Sequence, residues 1–142
     1  MIRYFDSSAW AKRYVFEPGT DEVMRFGQQA SVATSRLTVV ETASGITRRL
    51  REGGITVTES ERMLADLESD AAGILLIEVD GYVCRIAVEV LRRHALRAGD
   101  AVQLASALHL LRRLGRGIEF VCFDQRLNAA ARTEGLLTPA VS

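Results

Sequence analysis

The sequence lacks the residues that would build a disulfide framework or a zinc site. It has only two cysteines, Cys84 and Cys122, and two histidines, His94 and His109, in 142 residues. The cysteines form no C-x-x-C pair, and the histidines do not recur with them at the spacing of zinc ligands. We therefore expect two reduced, buried thiols and no zinc, in a chain long enough to bury a core without either.

Long apolar runs and an excess of one charge are also missing. No run is long enough to cross a bilayer, and the first residues lack the apolar stretch and cleavage site of a signal peptide. The sequence therefore predicts a cytoplasmic protein. Because 18 Lys and Arg balance 18 Asp and Glu, no global positive field draws the chain onto nucleic acid. Any binding to a polyanion must use a local patch.

What is present is the composition of one globular domain. Hydrophobic residues make up 48% and charged residues 25% of the chain, and the length of residues 1–142 fits a single domain. Short apolar runs alternate with longer helical patterns, without repeats or linkers. This alternation is typical of βαβ units and predicts an α/β fold with a mainly parallel central sheet.

The individual elements follow from these runs and from their start and stop signals. Predicted strands cover residues 2–5, 31–34, 74–79 and 119–123, and an edge strand is expected from Leu136. Predicted helices run from Ser7 or Ser8 to about Val15, from Thr20, from near Thr38 to Gly53, from Thr58, from Asp80 to near Ala95, from Asp100 to Leu114, and after Asp124.

Two aspartates follow predicted strands directly. Asp6 comes after the first strand and Asp124 after the last. The carboxyl ends of parallel strands meet at one edge of a sheet, where ligands bind, so both residues are candidates for chemistry. Each can also serve only as the cap of the helix that follows. Asp80 has the same placement without converging partners, and we interpret it as a plain helix cap.

Asp100 begins a helical line that is otherwise apolar. The residues that follow on this line are Leu104, Ala107 and Leu111. A carboxylate at the end of a buried line lies against the protein body, where it needs hydrogen-bond donors, a cation or a proton. Gly99, just before it, allows another group to approach closely. The alternative is a capping pair with Gln103.

Glu41 lies on the third predicted helix, away from its apolar stripe. It is roughly 200° from Val39, which begins that stripe, at 3.6 residues per turn. Small and polar residues share its face, which leaves space over the carboxylate. The segment Thr38-x-x-Glu41 also matches a capping box, so both interpretations stay open.

Four acids that converge would repel one another, and some would be protonated at neutral pH without a cation. A divalent metal resolves this conflict, and all-oxygen ligands select Mg²⁺ or Mn²⁺ over zinc. Such an ion can orient a water, lower the pKa of that water and stabilise charge that develops on a phosphate. The hypothesis is a metal-dependent phosphodiester hydrolase, with the number of metal ions left open.

Four segments resemble the motifs of PIN-domain proteins, especially the VapC-like toxins of VapBC toxin–antitoxin pairs. They are residues 4–14 (YFDSSAWAKRY), 37–41 (LTVVE), 96–107 (LRAGDAVQLASA) and 123–131 (FDQRLNAAA). They occur in the expected order over nearly the whole chain. Each motif is short, and the specificity comes from the set.

The resemblance implies a three-layer α/β/α domain and a Mg²⁺- or Mn²⁺-dependent endoribonuclease, usually dimeric and inhibited by a small antitoxin. Asp6, Glu41, Asp100 and Asp124 fall on the family's acidic positions as metal-binding and catalytic residues. Ser7 or Ser8 would support Asp6 by hydrogen bonding. Family members often have Ser or Thr two residues before the last acid, where this chain has Cys122. The resemblance therefore implies that Asp124 lacks a supporting hydroxyl.

Substrate contacts are expected at Ser7, Lys12 and Arg126, which lie beside the acidic motifs. Both cations can equally be solvated surface charges. A receiver-like phosphoacceptor fits poorly, because serines follow Asp6 and no lysine occurs after Lys12. The remaining alternative is a catalytically silent PIN-like domain that binds RNA or a protein partner.

Overall fold

A computed structural model of the protein describes residues 1–141. Ser142, the last residue of the predicted domain, lies outside the described residues. In chain order the elements are β1 Ile2–Phe5, α1 Ser7–Ala11, α2 Thr20–Gln28, β2 Ser31–Ser35, α3 Arg36–Arg51, α4 Val57–Ala71, β3 Leu75–Ile77, α5 Gly81–Arg93, α6 Ala98–Leu114, β4 Ile118–Val121 and α7 Gln125–Thr133.

The four strands form one sheet in the order β3-β2-β1-β4, and every pair is parallel. The predicted parallel α/β sheet is thus confirmed. Because all strands run the same way, the carboxyl ends of β1 and β4 lie side by side, with Phe5 opposite Val121. The expected tail strand is only a single parallel bridge between Glu119 and Leu137.

Successive side chains along each strand point to opposite faces of the sheet and pack into two separate hydrophobic cores. Tyr4 and Phe120 point into one core, where α5, α6 and α7 pack against the sheet. Phe5 and Val121 point into the other, which is closed by α1, α2 and α4 with partly buried residues of α3. Helices therefore cover both faces of the sheet, and the predicted three-layer α/β/α architecture is confirmed.

The cap of α1 is Asp6, whose carboxylate accepts a hydrogen bond from the backbone N–H of Ala9 at 2.9 Å. The predicted cap at Ser7 or Ser8 is therefore wrong, and the helix stops before the predicted end at Val15. Asp6 has the extended conformation of a cap residue, and its carboxylate is a favourable acceptor for the free N–H groups at the start of α1 because it is negatively charged.

Two further helix starts differ from the prediction. Ser35 caps α3 through the N–H of its second residue, so the predicted capping box of Thr38 and Glu41 is wrong. The true capping box is that of Thr56 with Glu59, which starts α4 just before the predicted position. Several hydroxyl residues compete within a few positions at each start, and the one in extended conformation is the cap.

Two strands are shorter than the apolar runs that predicted them. β3 covers only Leu75–Ile77 of residues 74–79, and β4 ends at Val121 rather than at residue 123. The excluded residues carry the chain out of the sheet toward the caps at Asp80 and Asp124, both of which are confirmed as caps. Within residues 1–141, no helix is both long and apolar enough to cross a membrane.

Candidate active site

Asp6 lies at the end of β1 and is held in place by its neighbours. Its side chain is buried, with 4% exposure. Besides the Ala9 N–H, its two oxygens accept the hydroxyl of Ser8 at 2.8 and 3.0 Å. Burial, with a smaller contribution from the charge of Asp100, raises the pKa of Asp6 to about 6 against the lowering effect of these hydrogen bonds. Of the two serines expected to support Asp6, Ser8 does so.

Asp100 lies half-buried in the first turn of α6, against the protein body as the helical line predicts. The predicted capping pair with Gln103 is wrong, because the Gln103 side chain is bonded in the interior. Burial raises the pKa of Asp100, and the charges of Asp124 and Glu41 raise it further, against an opposing effect of Arg97. Asp100 is therefore the acid that interacts with all three others.

Glu41 reaches the same place from α3. Its Oε1 accepts hydrogen bonds from the hydroxyl of Ser7 at 2.5 Å and from Nε2 of Gln103 at 3.0 Å. Its Oε2 lies 3.4 Å from the position that a Cβ on Gly99 would occupy. Gly99 thus provides the close approach predicted for it, and the group that approaches is Glu41.

The inner face of α3 differs from the prediction. Its fully buried residues are Thr38, Thr42 and Ile46, whereas Val39 is only partly buried. Glu41 therefore lies next to the buried face rather than opposite it. Buried threonines are invisible to a search for apolar periodicity, and Thr38 is tolerated inside because its hydroxyl is hydrogen-bonded.

Asp124 follows β4 and caps α7. Its Oδ1 accepts the N–H groups of Arg126 at 2.9 Å and of Leu127 at 3.3 Å, and its side chain is exposed. The buried thiol of Cys122 accepts the backbone N–H of Asp124 at 3.3 Å. The thiol thus stands where the supporting hydroxyl was expected. The prediction of two buried thiols is confirmed for Cys122 and wrong for Cys84, which is exposed.

The four acids come from four elements and interact through their charges, but they do not form a closed chelate. Within residues 1–141, no group of three Asp, Glu, His or Cys side chains is close enough to hold a metal ion as it stands. The proximity of the acids and the burial of Asp6 and Asp100 nevertheless raise the pKa of both residues, so negative charge at this edge of the sheet carries an electrostatic cost.

A cavity of about 700 Å³ opens beside Asp100 and Asp124. Arg97, Arg126 and His94 also line it. In the part of the chain that the structure describes, neither arginine forms an ion pair. The cavity is therefore lined by two carboxylates and two guanidinium groups, of which Arg97 acts on Asp100 through its charge.

The three predicted substrate residues lie in different surroundings. Arg126 lines the cavity with the acids. The ammonium of Lys12 is paired with Glu17 at 3.1 Å, and the hydroxyl of Ser7 is bonded to Glu41. A role in substrate binding stays a prediction for all three, and the surroundings favour Arg126.

Sequence reasoning did not select Arg97, His94 or Gln103 for this site. Arg97 and Gln103 both lie inside the segment 96–107 that suggested the family. Gln103 also carried a physical signal, since it is a polar residue on the buried side of a mostly apolar helix. A buried amide of this kind requires partners, and those partners belong to the site.

Comparisons with known proteins identify the family of the chain. The model of the PIN domain family matches residues 3–133. Ribonuclease VapC45 of Mycobacterium tuberculosis is 31% identical over 133 residues, which cover 93% of this chain and 90% of that protein.

Two solved structures share the fold at lower identity. A toxin–antitoxin complex from Klebsiella pneumoniae matches with a TM-score of 0.64 and 17% identity, over 89% of this chain and 90% of that one. VapC20 of Mycobacterium tuberculosis, described as a sarcin-ricin loop cleaving toxin, matches with a TM-score of 0.67 and 19% identity, over 90% and 94%. The predicted resemblance is confirmed, and the chain belongs to the PIN domain family.

Proposed function

We propose that this protein is an Mg²⁺- or Mn²⁺-dependent endoribonuclease, the toxin of a type II toxin–antitoxin pair. Asp6, Glu41, Asp100 and Asp124 would carry the hydrolysis of RNA phosphodiester bonds. The observation that carries the proposal is the placement of the acids: Asp6 and Asp124 follow the adjacent parallel strands β1 and β4, Asp100 lines one cavity with Asp124, and Oε2 of Glu41 lies at Gly99, next to Asp100. A small antitoxin, a homodimer and a cytoplasmic location belong to the same proposal.

The names and descriptions of the similar proteins support this proposal. The relative at 31% identity is named a ribonuclease. Of the proteins that share the fold, one is described as cleaving the sarcin-ricin loop and another forms a toxin–antitoxin complex.

The side chains fit a hard divalent cation in two respects. The donors are carboxylate oxygens, which Mg²⁺ and Mn²⁺ prefer. Burial raises the pKa of both Asp6 and Asp100, and the repulsion between acids adds to it, so a cation would offset an existing electrostatic cost. Asp6 and Asp100 are the residues that would hold the ion, with Glu41 and Asp124 completing the set. The ion would activate a water and offset the charge on the phosphate.

The chain itself supplies orientation and charge balance. Ser8 and the α1 backbone fix Asp6, and Glu41 keeps Oε2 free of hydrogen bonds within residues 1–141. An RNA phosphate that enters the cavity would otherwise meet only negative charge. Arg97 and Arg126 line the same cavity, and a guanidinium can bind phosphate oxygens in pairs.

The proposed function is tested by incubating the purified protein with total RNA, with Mg²⁺ or Mn²⁺ and with an excess of chelator. Cleavage should require the ion, disappear with the chelator and return when the ion is restored. Mapping the cut sites on the RNA would then identify the target. Cleavage that persists at the same rate in chelator would contradict the metal dependence.

The alternative is a catalytically silent PIN-like domain that binds RNA or a partner. The absence of a closed three-residue chelate within residues 1–141 favours this alternative. It predicts that RNA is retained without cleavage and that titration with Mn²⁺ gives no binding. Either result alone separates the two functions.

Arg126→Ala is expected to weaken RNA binding about tenfold, a loss of ~1.4 kcal/mol, because one phosphate contact is removed. The turnover number should change little. The measurement is the KM for RNA at two salt concentrations. Arg113→Ala is the matched control, since Arg113 lies at the opposite end of α6, about 20 Å along the axis from Asp100 at 1.5 Å per residue. An equal loss in both variants would show that general charge, not this cavity, binds the RNA.

A further inference from the structure

A buried hydrogen-bond chain connects the acids to the core, and Gln103 is at its centre. The Gln103 side chain is 2% exposed, so its amide must find partners inside the protein. Its Oε1 accepts the hydroxyl of Tyr4 at 2.6 Å. Its Nε2 lies 2.8 Å from the Ser7 hydroxyl, 2.9 Å from the Thr38 hydroxyl and 3.0 Å from Oε1 of Glu41.

Tyr4 sets the direction of this amide. The Tyr4 side chain is fully buried and its ring stacks on Phe120, at 5.6 Å between the ring centroids. Its hydroxyl donates to Oε1 of Gln103, so the amide is held with its NH₂ group toward Glu41. A reversed amide would place its carbonyl oxygen against the Glu41 carboxylate, which can only accept, and the Tyr4 hydroxyl would have to turn and accept an N–H instead of donating.

The hydroxyl side of the chain is anchored to the sheet. The Thr38 hydroxyl lies 2.8 Å from that of Thr34. Thr34 in turn donates to the backbone carbonyl of Phe5 at 2.5 Å. The chain therefore runs from the end of β1 through β2 and α3 to α6, and it joins the elements that carry Asp6, Glu41 and Asp100.

The network treats the two oxygens of Glu41 differently. Oε1 accepts two hydrogen bonds, from Ser7 and Gln103. Oε2 has no hydrogen-bond partner among residues 1–141 and faces the backbone of Gly99, next to Asp100. One oxygen is thus fixed by the protein while the other stays available for a ligand.

We propose that Gln103 is a positioning residue that holds the Glu41 carboxylate with Oε2 presented beside Asp100, and that Tyr4 keeps the Gln103 amide in the direction this requires. The proposal rests on the proposed function, because it assigns Gln103 to the same acidic site. Removing a residue that orients a metal-binding carboxylate typically lowers metal affinity or activity about ten- to a hundredfold.

A purely structural role for Gln103 makes a different prediction. If the network only satisfies buried polar atoms, its loss lowers the stability of the fold and leaves metal binding intact. The two readouts are therefore the thermal midpoint of the metal-free protein and the affinity for Mn²⁺, measured by calorimetry or by the spin resonance of free Mn²⁺.

Three variants probe the network in the full-length chain. Gln103→Met keeps the size of the side chain and removes its hydrogen bonds. Gln103→Glu keeps the acceptor for Tyr4 but places a second carboxyl group against Glu41. Tyr4→Phe removes only the hydroxyl that sets the amide direction. We expect Mn²⁺ affinity to fall at least about tenfold for both Gln103 variants, and to fall by less for Tyr4→Phe, which keeps the Gln103 amide.

The coupling between Tyr4 and Gln103 gives the sharpest outcome. Because Tyr4 acts through the amide, Tyr4→Phe combined with Gln103→Met should bind Mn²⁺ no more weakly than Gln103→Met alone. Val90→Ala is the control for destabilisation, since Val90 is fully buried in α5. It should lower the thermal midpoint and leave the Mn²⁺ affinity unchanged.

The outcomes separate the two proposals. A wild-type protein that binds no Mn²⁺ overturns the proposed function and this inference with it. A wild-type protein that binds Mn²⁺ and cleaves RNA, with all three variants at wild-type affinity, overturns only the inference. If Gln103→Met does not fold, Tyr4→Phe and Gln103→Glu decide, and unchanged affinity in both contradicts the positioning role.

Discussion

Asp6→Asn is expected to reduce RNA cleavage by at least about a thousandfold and, at neutral pH, to make the metal-free protein more stable. The loss of cleavage follows from removing one of the two carboxylates most central to the proposed ion. A bound ion contributes several kcal/mol to stabilising a transition state, and ~4 kcal/mol corresponds to about a thousandfold in rate. The measurement is the single-turnover rate of cleavage of a defined RNA.

The gain in stability follows from the burial of the charge. Burial raises the pKa of Asp6 from its ordinary 3.8 to about 6, so the folded state binds the proton more tightly than the unfolded chain. The resulting stability is fully present below pH 4 and is lost as the pH rises through about 6. At pH 7.5 the buried charge costs on the order of 3 kcal/mol. Asparagine keeps an oxygen for the Ala9 N–H and carries no charge.

Chemical denaturation of both proteins without metal measures this effect. The difference in unfolding free energy should be largest at pH 7.5, at most ~3 kcal/mol, and should shrink toward pH 4. Mg²⁺ should stabilise the wild-type protein and not the variant. An Asp6→Asn protein that is less stable than wild type at pH 7.5 would contradict the assigned cost of burial. One that cleaves RNA at the wild-type rate would contradict the proposed function.

Asp80→Asn is the matched control for this substitution. Asp80 also follows a strand and caps a helix, and its carboxylate accepts the N–H of Val83 at 3.0 Å. It is exposed, and asparagine caps a helix as well as aspartate does. Neither cleavage nor stability should change in this variant. The pair therefore separates the shared cap geometry from the chemistry of the acidic edge.

Gly19→Ala is expected to lower the unfolding free energy by about 2–4 kcal/mol. Gly19 starts α2 with a φ of +97°, in the left-handed region that costs a side chain about 1–2 kcal/mol. An added Cβ would also lie 2.6 Å from the Phe123 ring and 3.1 Å from the Lys12 side chain. One of these groups would have to move, and Phe123 directly precedes Asp124.

Gly53→Ala isolates the backbone part of this cost. Gly53 has a φ of +77°, and a Cβ there meets nothing within 4 Å. We expect a loss of about 1–2 kcal/mol, all of it from the conformation. Urea denaturation of the two variants measures the difference. If Gly19→Ala and Gly53→Ala lose the same unfolding free energy, the Phe123 ring moves aside at no cost in stability.

The placement of Asp6 and Asp124 could be predicted from the sequence, because both follow clear apolar runs and parallel strands end at a common edge. The helix caps were harder to predict. At α3, Ser35 and Thr38 are both good capping residues, and only the backbone conformation of Ser35 selects it. The sequence identifies the residues that can cap a helix, and the residue with an extended backbone conformation is the one that does so.

The surroundings of Glu41 could not be predicted, because they depend on contacts distant in sequence. Gln103 is 62 residues from Glu41 and 99 residues from Tyr4. The inner face of α3 was also hidden, since Thr38 and Thr42 are polar residues in buried positions. Periodicity identifies faces by apolar residues, so a face that contains buried threonines escapes it, whether the hydroxyl is hydrogen-bonded as in Thr38 or has no partner among residues 1–141 as in Thr42.

The strand order has a consequence for how the chain is made. β1 is the first strand to be synthesised, yet it lies between β2 and β4, and β4 begins only at Ile118. β1 can therefore pair with β4 only after most of the polypeptide has been synthesised. Pairing between segments this distant in sequence is slow. A chain interrupted before Ile118 would have Asp6 without the strand that brings Asp124 beside it. Such an interrupted chain would therefore lack the complete set of acids to which the hydrolysis of RNA is assigned in the proposed function.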